Sequence, residues 1–175
     1  MDPDVFDKLM TSLDPPLVVV TTAVGAERGG CLVGFHAQSS IDPARYCVWL
    51  SKANHTYRLA LRATHLGIHS LAEDQLLLAA LFGTRSGDEG DKFESLATRA
   101  GPGDTPLLAE APNRLVVRRV ALLDEGADHV CVTTQPIAAE TSGPFRPLRL
   151  SAAAHLVPGH DNEERNDPPT ERAGG

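Results

Sequence analysis

The sequence predicts a mainly β fold, a Greek-key-like closed barrel with a few helices packed outside it. Runs with strand character outnumber helical segments, and most connections between them have the length and composition of hairpin turns. One helical segment follows the third strand, and a second precedes a long glycine-rich connection. The chain of 175 residues has the size of one compact domain. We therefore expect one barrel domain over residues 1–157 and a polar, disordered tail over 158–175.

Two kinds of pattern identify the individual elements. Apolar residues at helical spacing indicate helices, and Val- and Thr-rich runs indicate strands. Prolines end the first helix at Pro15-Pro16, and Asn54 and Asp74 are candidate caps for the two later helices. Residues 46–51 are apolar on both faces, which predicts an interior strand. The predicted elements are, in order, a helix over 2–12, strands over 17–24, 31–40 and 46–51, a helix over 55–62, a strand over 65–71, a helix over 75–82, and strands over 113–123, 129–140 and 148–157.

The long connection over residues 83–105 is rich in glycine and charge. A connection of this length is unusual in a compact domain unless it has a task such as covering a ligand. A variable surface loop is an equally good interpretation. A short helix over 93–99 is expected within it.

Charge and cysteine content exclude several classes of protein. The net charge of -7, with no basic stripe, argues against a nucleic-acid surface. Cys31, Cys47 and Cys131 lie in apolar runs without close spacing, so we expect buried free thiols and neither a disulfide framework nor a metal site. No apolar run is long enough to span a bilayer, and the acidic N-terminus lacks secretory-signal features. We therefore expect a cytoplasmic protein with no membrane contact.

The strongest local signal for chemistry is the run from Ser51 to Arg58, where a buried strand gives way to a helix. Free backbone N–H groups at a helix start favour an anion. Hydroxyl, amide, imidazole and cationic groups concentrate in the same run, which predicts a phosphate site. An ordinary capped helix with a solvated basic face is the alternative interpretation. The candidate phosphate residues are Ser51, Lys52, Asn54, His55, Thr56 and Arg58.

The histidines give weaker signals. His65 and His69 are four residues apart, which would suit a metal on a helix, but in a strand they stand about 13 Å apart and cannot share one ion. His129 follows Asp128 at the mouth of the last hairpin, an exposed position where a histidine can contact a ligand or hold a proton. The alternative for His129 is a polar hairpin end without a function.

Taken in order, these motifs resemble the flavin reductase-like family. Each is short, but together they cover about residues 15–150. The segments that carry the resemblance are Leu17–Thr22, Gly30–Phe35, Ser40–Pro43, Val48–Lys52, His55-Thr56, Asp91–Phe93, Pro106–Leu108 and Asp128-His129.

The resemblance implies an FMN-binding split barrel that forms a homodimer, with apolar surface such as Val48 and Trp49 covered by the second subunit. It implies that the strand segment Gln38, Ser39 and Ser40 runs along the isoalloxazine ring and that Ser51–Arg58 holds the phosphate. By the same resemblance, Lys92 reaches the flavin from the long loop. His129, with Asp128, belongs to the nicotinamide side and is the candidate catalytic residue.

One departure from the family pattern concerns the flavin pocket. Family members usually carry small hydroxyl residues in the glycine-led strand, where this chain has Leu32, Gly34 and Phe35. Leu32 and Phe35 have no donor for a ribityl chain or a phosphate. The pocket is therefore altered, which leaves FAD or a deazaflavin open beside FMN.

The resemblance implies an NAD(P)H-dependent flavin reductase, in which a hydride passes from the nicotinamide co-substrate to the flavin. Reduced flavin supplied to a partner monooxygenase is one use of that activity. Two alternatives stay open. The first is a flavin-binding electron carrier or storage protein without reductase turnover, and the second is a deazaflavin- or haem-binding split barrel.

Overall fold

A computed structural model describes residues 1–85 and 90–157. Helices and strands follow each other as three α-helices and nine strands, with short 3₁₀ turns at Pro102–Asp104 and Leu150–Ala153 among the described residues. The elements are α1 (Pro3–Leu13), β1 (Val18–Val24), β2 (Glu27–Val33), β3 (His36–Ser40), β4 (Arg45–Ser51), α2 (His55–Ala60), β5 (His65–Ser70), α3 (Leu76–Thr84), β6 (Thr98–Ala100), β7 (Pro106–Leu108), β8 (Arg114–Leu123) and β9 (His129–Glu140).

Seven strands form one antiparallel sheet in the order β2-β1-β5-β8-β9-β4-β3, and β6 pairs with β7 in a separate small hairpin. The mainly β prediction is confirmed. β2 and β4 lie near opposite edges of this sheet, yet Cys31 and Val33 share one buried cluster with Val48 and Leu50. Side chains from both edges can meet only if the sheet curls, so the seven strands form a split barrel around this cluster.

A second apolar cluster lies outside the barrel. Val19 of β1 belongs to it, together with Phe82 of α3, Phe93 of the long connection, and Leu148 and Ala153 near the end of the described chain. Burial of these side chains stabilises the fold by roughly 1.5–3 kcal/mol for each large one. The outer cluster fixes α3 and the 3₁₀ turn at Leu150–Ala153 against the barrel wall.

The predicted strand over residues 31–40 is wrong as a single element. The chain breaks at Gly34-Phe35, so that β2 pairs with β1 while β3 pairs with β4 on the other side of the barrel. The hairpin turn before β2 is also shorter than predicted, because β2 already starts at Glu27. One continuous strand cannot serve both edges of a curled sheet, and the break lets the chain cross from one edge to the other.

Two further predicted elements are wrong. Residues 93–99 form no helix; the Phe93 N–H is held by the Asp91 carboxylate at 2.9 Å in a turn, and β6 follows. Residues 148–157 form no strand, since the backbone groups of Leu148 bond to Leu17 and Leu71 and the chain then enters the 3₁₀ turn.

The helix predictions need two adjustments at their ends. Gln75, not Asp74, stands at the start of α3, and α2 ends at Ala60. α1, β1, β4, β5 and the β8–β9 hairpin lie close to their predicted positions. As predicted, β4 is an interior strand, between β9 and β3.

Further predictions concern membranes, metals and the tail. Within residues 1–85 and 90–157 no helix is long and apolar enough to cross a membrane. The same residues contain no group of three or more His, Cys, Asp or Glu placed to hold a metal ion. His65 and His69 both lie on β5, a strand as predicted. The tail predicted over 158–175 lies outside the described residues.

Candidate functional site

A cleft of about 340 Å³ opens where the ends of several elements meet beside the barrel. The β2–β3 junction, the end of β4, the start of β9, the end of α3 and the 3₁₀ turn after Arg149 supply its walls. Its volume lies in the range of small-molecule sites. The lining residues are Pro15, Leu17, Cys31, Leu32, Val33, Gly34, Phe35, Trp49, Ser51, Asn54, Phe82, Gly83, His129, Leu150, Ala153 and Leu156.

Strand alternation explains why polar groups enter this apolar cleft at one end. Val48 and Leu50 of β4 point into the barrel core, so Trp49 and Ser51 point to the opposite face. Ser51 is the register partner of His129 across the β4–β9 pair. The two side chains therefore stand next to each other at the polar end of the cleft.

Ser51 has an unusual hydrogen-bonding state. Its side chain is buried, with 3% relative exposure, and its Oγ has no hydrogen-bond partner among the described residues. A buried hydroxyl without a partner costs about 1–3 kcal/mol. Asn54 lines the same end of the cleft and makes no side-chain capping bond to α2. Both groups can hydrogen-bond to a ligand in the cleft.

His129 is the titratable ring of the cleft. Its Nδ1 lies 3.0 Å from the Asp128 carboxylate oxygen Oδ1. A ring that donates from Nδ1 to a carboxylate is fixed in orientation, which leaves Nε2 to accept a hydrogen bond or, when the ring is protonated, to donate one. The His129 ring also meets Phe35 edge to face, with centroids 5.2 Å apart.

Three of the predicted phosphate residues, Lys52, His55 and Arg58, are absent from the cleft lining. The Lys52 Nζ pairs with Asp124 at 2.9 Å, and this hydrogen bond lowers the pKa of the Asp124 carboxyl. His55 lies 3.4 Å from Glu27, and Arg58 lies against His55. α2 itself has only six residues.

Thr56 and Lys92 are buried behind the cleft wall, around Cys31. The Lys92 ammonium donates to the Gly30 carbonyl at 3.0 Å. Burial raises the pKa of the Cys31 thiol to about 11, against the opposing effects of a Thr56 hydrogen bond and the Lys92 charge. Burial likewise raises the pKa of Cys131 to about 11. All three cysteines are free; Cys31 and Cys47 are buried, and Cys131 is partly exposed.

The predicted ring-contacting residues Gln38, Ser39 and Ser40 are not in the cleft lining. They lie on β3, and Gln38 pairs with Tyr46, which is about 16 Å along β4 from Ser51. The Ser39 hydroxyl accepts a hydrogen bond from the Cys47 thiol at 3.2 Å. Among the candidate residues, the cleft brings together only Ser51, Asn54 and His129.

Sequence reasoning missed much of the cleft wall. Leu150, Ala153 and Leu156 line the cleft because residues after Arg149 turn across its opening, whereas a strand was expected there. The family resemblance implies that a second subunit covers Trp49, whereas alternation from Ser51 along β4 places Trp49 in the cleft lining. Leu32, Gly34 and Phe35, noted in the sequence as departures from the family, do line the cleft.

Comparison with protein families and solved structures gives a consistent result. A sequence model described as the flavin reductase like domain matches residues 10–150. A chain from Sinorhizobium meliloti 1021 superposes with a TM-score of 0.73 at 22% identity, covering 84% of this chain and 50% of that chain. The protein described here therefore spans half the length of that relative.

Two other structures are similar over most of both chains. Streptomyces globisporus C-1027 NADH:FAD oxidoreductase SgcE6, in complex with NAD and FAD fragments, has a TM-score of 0.74 at 20% identity and covers 87% of this chain and 92% of its own. An FMN-binding protein from Thermus thermophilus with bound 1-cyclohex-2-enone has a TM-score of 0.66 at 22% identity. The match covers 71% of this chain and 69% of that chain. These similarities establish a shared split-barrel fold.

Proposed function

The chain belongs to the flavin reductase-like family of flavin-related oxidoreductases, and on this premise we propose that it transfers a hydride from NAD(P)H to a flavin bound in the cleft. The unpartnered Ser51 Oγ carries the proposal, because it is a buried polar atom of a residue that lines a cleft of suitable volume. When bound, a flavin supplies a ring that accepts a hydride from a nicotinamide. The residues described below bind and orient the two ring systems.

The phosphate of FMN is assigned to the polar end of the cleft. Ser51 Oγ and the Asn54 amide both lie there and can donate to phosphate oxygens. Lys52 contributes positive charge nearby, partly neutralised by Asp124. Thr56, behind the wall, supports α2 and the Cys31 region in this proposal, and its contribution to phosphate binding is indirect.

His129 is assigned to the nicotinamide. Asp128 orients its ring, and Nε2 is the atom left to hydrogen-bond with a carboxamide or to hold a proton beside the reacting rings. Lys92 supports the flavin site indirectly, by tying the long connection to the Gly30 carbonyl. The β3 segment Gln38–Ser40 contacts whatever part of the flavin extends beyond the cleft.

A homodimer belongs to the same proposal. Val48, expected on the covered surface, lies in the barrel core, and Trp49 lines the cleft. Other large apolar side chains are exposed instead, including Ile41 after β3 and Leu123 at the end of β8. A second copy of the chain would bury them. Supply of reduced flavin to a partner monooxygenase is a use compatible with this chemistry.

The Ser51→Ala variant tests the assignment of the phosphate. A hydrogen bond to a charged group contributes roughly 1.5–3 kcal/mol, so FMN affinity should fall about tenfold or more. Riboflavin, which has no phosphate, should bind as tightly as before. Equilibrium titration of both ligands, followed by flavin fluorescence, measures the two dissociation constants.

The matched control is Ser70→Ala, at the end of β5 and outside the cleft lining, which should leave both affinities unchanged. Equal weakening of FMN and riboflavin by Ser51→Ala would show that Ser51 shapes the cleft and does not bind phosphate. Unchanged FMN affinity would place the phosphate elsewhere.

A further inference from the structure

The wall of the cleft contains an exposed aromatic ring at the β2–β3 junction. Phe35 lines the cleft, and 60% of its surface is accessible to solvent. Large apolar side chains are normally withdrawn from water, and an exposed one inside a concave site is a candidate ligand contact. Phe35 stands among the positions where the family usually carries small hydroxyl residues.

The position of the Phe35 ring is fixed on two sides. The backbone N–H of Trp49 donates to the Phe35 carbonyl at 2.9 Å. This bond ties the junction to β4 just beyond the last register pair of β3 and β4, His36 with Val48. The ring then rests on His129, edge to face, at 66° between the ring planes. A ring held in this way loses little conformational entropy when a ligand stacks on it.

The neighbours of Phe35 on the β2 side leave room for a flat ligand, and their side chains offer it no hydrogen bonds. Gly34 also lines the cleft, and a side chain there would meet only Leu17, at 3.6 Å, so its absence opens space beside Phe35. Leu32 packs towards Gly83 and closes the floor with apolar atoms. The β2–β3 junction therefore presents ring and alkyl surface to the cleft.

The spacing between this surface and the polar end suits a flavin. Trp49, whose N–H bonds to Phe35, is two strand residues and so about 7 Å from Ser51. A phosphate at Ser51 and a ring on Phe35 are then separated by a distance that a ribityl chain can span.

We infer that Phe35 is a cofactor-binding residue that holds the isoalloxazine ring by stacking, and so replaces with ring contact the hydroxyl contacts that the family usually provides. This inference rests on the proposed function, because it requires a flavin in the cleft. Stacked aromatic pairs contribute beyond their buried area, by an amount that corresponds to roughly two- to tenfold in affinity. The gain comes from the ring alone and is independent of the phosphate.

The test compares three flavins on three variants. Lumiflavin carries the ring without ribityl chain or phosphate, riboflavin adds the chain, and FMN adds the phosphate. Phe35→Ser should weaken all three by the same factor, about three- to tenfold, and Phe35→Tyr should restore the affinity. Phe145→Ser, at an exposed phenylalanine outside the cleft lining, is the matched control and should change nothing. Fluorescence titration gives each dissociation constant, and thermal melting confirms that each variant is folded.

The outcomes separate the inference from the proposal beneath it. If the wild-type chain binds none of the three flavins, the proposed function fails and the inference falls with it. If the wild type binds FMN but Phe35→Ser binds all three equally well or more tightly, Phe35 is not a stacking residue and only the inference is overturned. A loss confined to FMN would likewise overturn it, because stacking acts on the ring.

Discussion

The most deeply buried ionisable side chain among the described residues lies outside the cleft. His69 of β5 has no exposed surface; its Nδ1 faces the Ala111 carbonyl at 3.2 Å and its Nε2 faces Thr21 Oγ1 at 3.3 Å. Burial lowers the pKa of His69 from 6.5 to about 4, against an opposing contribution from the Ala111 carbonyl. The folded protein therefore keeps this ring neutral at pH values where an unfolded chain would protonate it.

This lowered pKa predicts acid sensitivity with a definite sign. Above pH 6.5 both states hold His69 neutral, so it adds no pH dependence. Between pH 6.5 and about 4 only the unfolded state binds the proton, so stability falls as the pH falls, by about 3 kcal/mol over the whole window. Urea unfolding of the wild type across this range should show the loss.

The His69→Gln variant should be less stable near neutral pH but should lose less stability on acidification. Gln cannot take up a proton, so the difference between variant and wild type should shrink as the pH falls. A variant with the same pH slope as the wild type would show that other groups cause the acid sensitivity.

The sequence could predict residues at this scale only where a local pattern places them. Ser51 ends β4, Asn54 precedes α2 and His129 begins β9, and such end positions are recognisable in a sequence. Lys52 and His55 follow the same local pattern, but their partners Asp124 and Glu27 come from distant segments and hold the two side chains outside the cleft lining. Such long-range pairing is not visible in the order of residues.

At the scale of elements, two glycines of the β2–β3 region have different tasks. A Cβ on Gly30 would lie 2.5 Å from Phe82 and 3.1 Å from Phe93, inside the packed outer cluster. A Cβ on Gly34 would make only an ordinary contact with Leu17. Gly30 therefore lets α3 approach β2, and Gly34 keeps the cleft open.

Alanine substitutions at Gly30 and Gly34 should therefore change the stability of the protein by different amounts. Gly30→Ala should lower the free energy of unfolding by about 1–3 kcal/mol, because the aromatic rings are closely packed and have to shift. Gly34→Ala should stay within about 0.5 kcal/mol of the wild type. Urea denaturation measures both. Equal effects would mean that α3 can move away from β2 at little cost.

Some strands could be predicted from the sequence and others could not. The β8–β9 hairpin was predictable because two long β-rich runs flank one compact turn. The run over 31–40 has a continuous strand-like composition, and only the closure of the barrel, with β2 and β3 on opposite edges, requires the break. The segment after Pro147 has strand character too, but Leu148 already bonds to Leu17 and Leu71 and no further ladder forms.

For the whole molecule, the exposed apolar surface predicts association of two chains. Ile41 is 87% exposed, and Val120, Leu123 and Ile137 are each about half exposed. Apolar area of this kind is covered in stable assemblies. Light scattering should therefore give twice the chain mass of 18.6 kDa at micromolar concentrations. A mass of one chain throughout that range would remove this part of the proposal.

The central claim is that the cleft brings a nicotinamide and a flavin together, and anaerobic mixing tests it most directly. The protein with FMN or FAD is mixed with NADH or NADPH, and loss of the visible flavin absorbance measures hydride transfer. We predict rapid bleaching with one of the two nicotinamides, a raised KM for that nicotinamide in His129→Ala, and flavin affinity close to that of the wild type. A wild-type protein that binds flavin but is bleached by neither nicotinamide would contradict the account and favour an electron carrier.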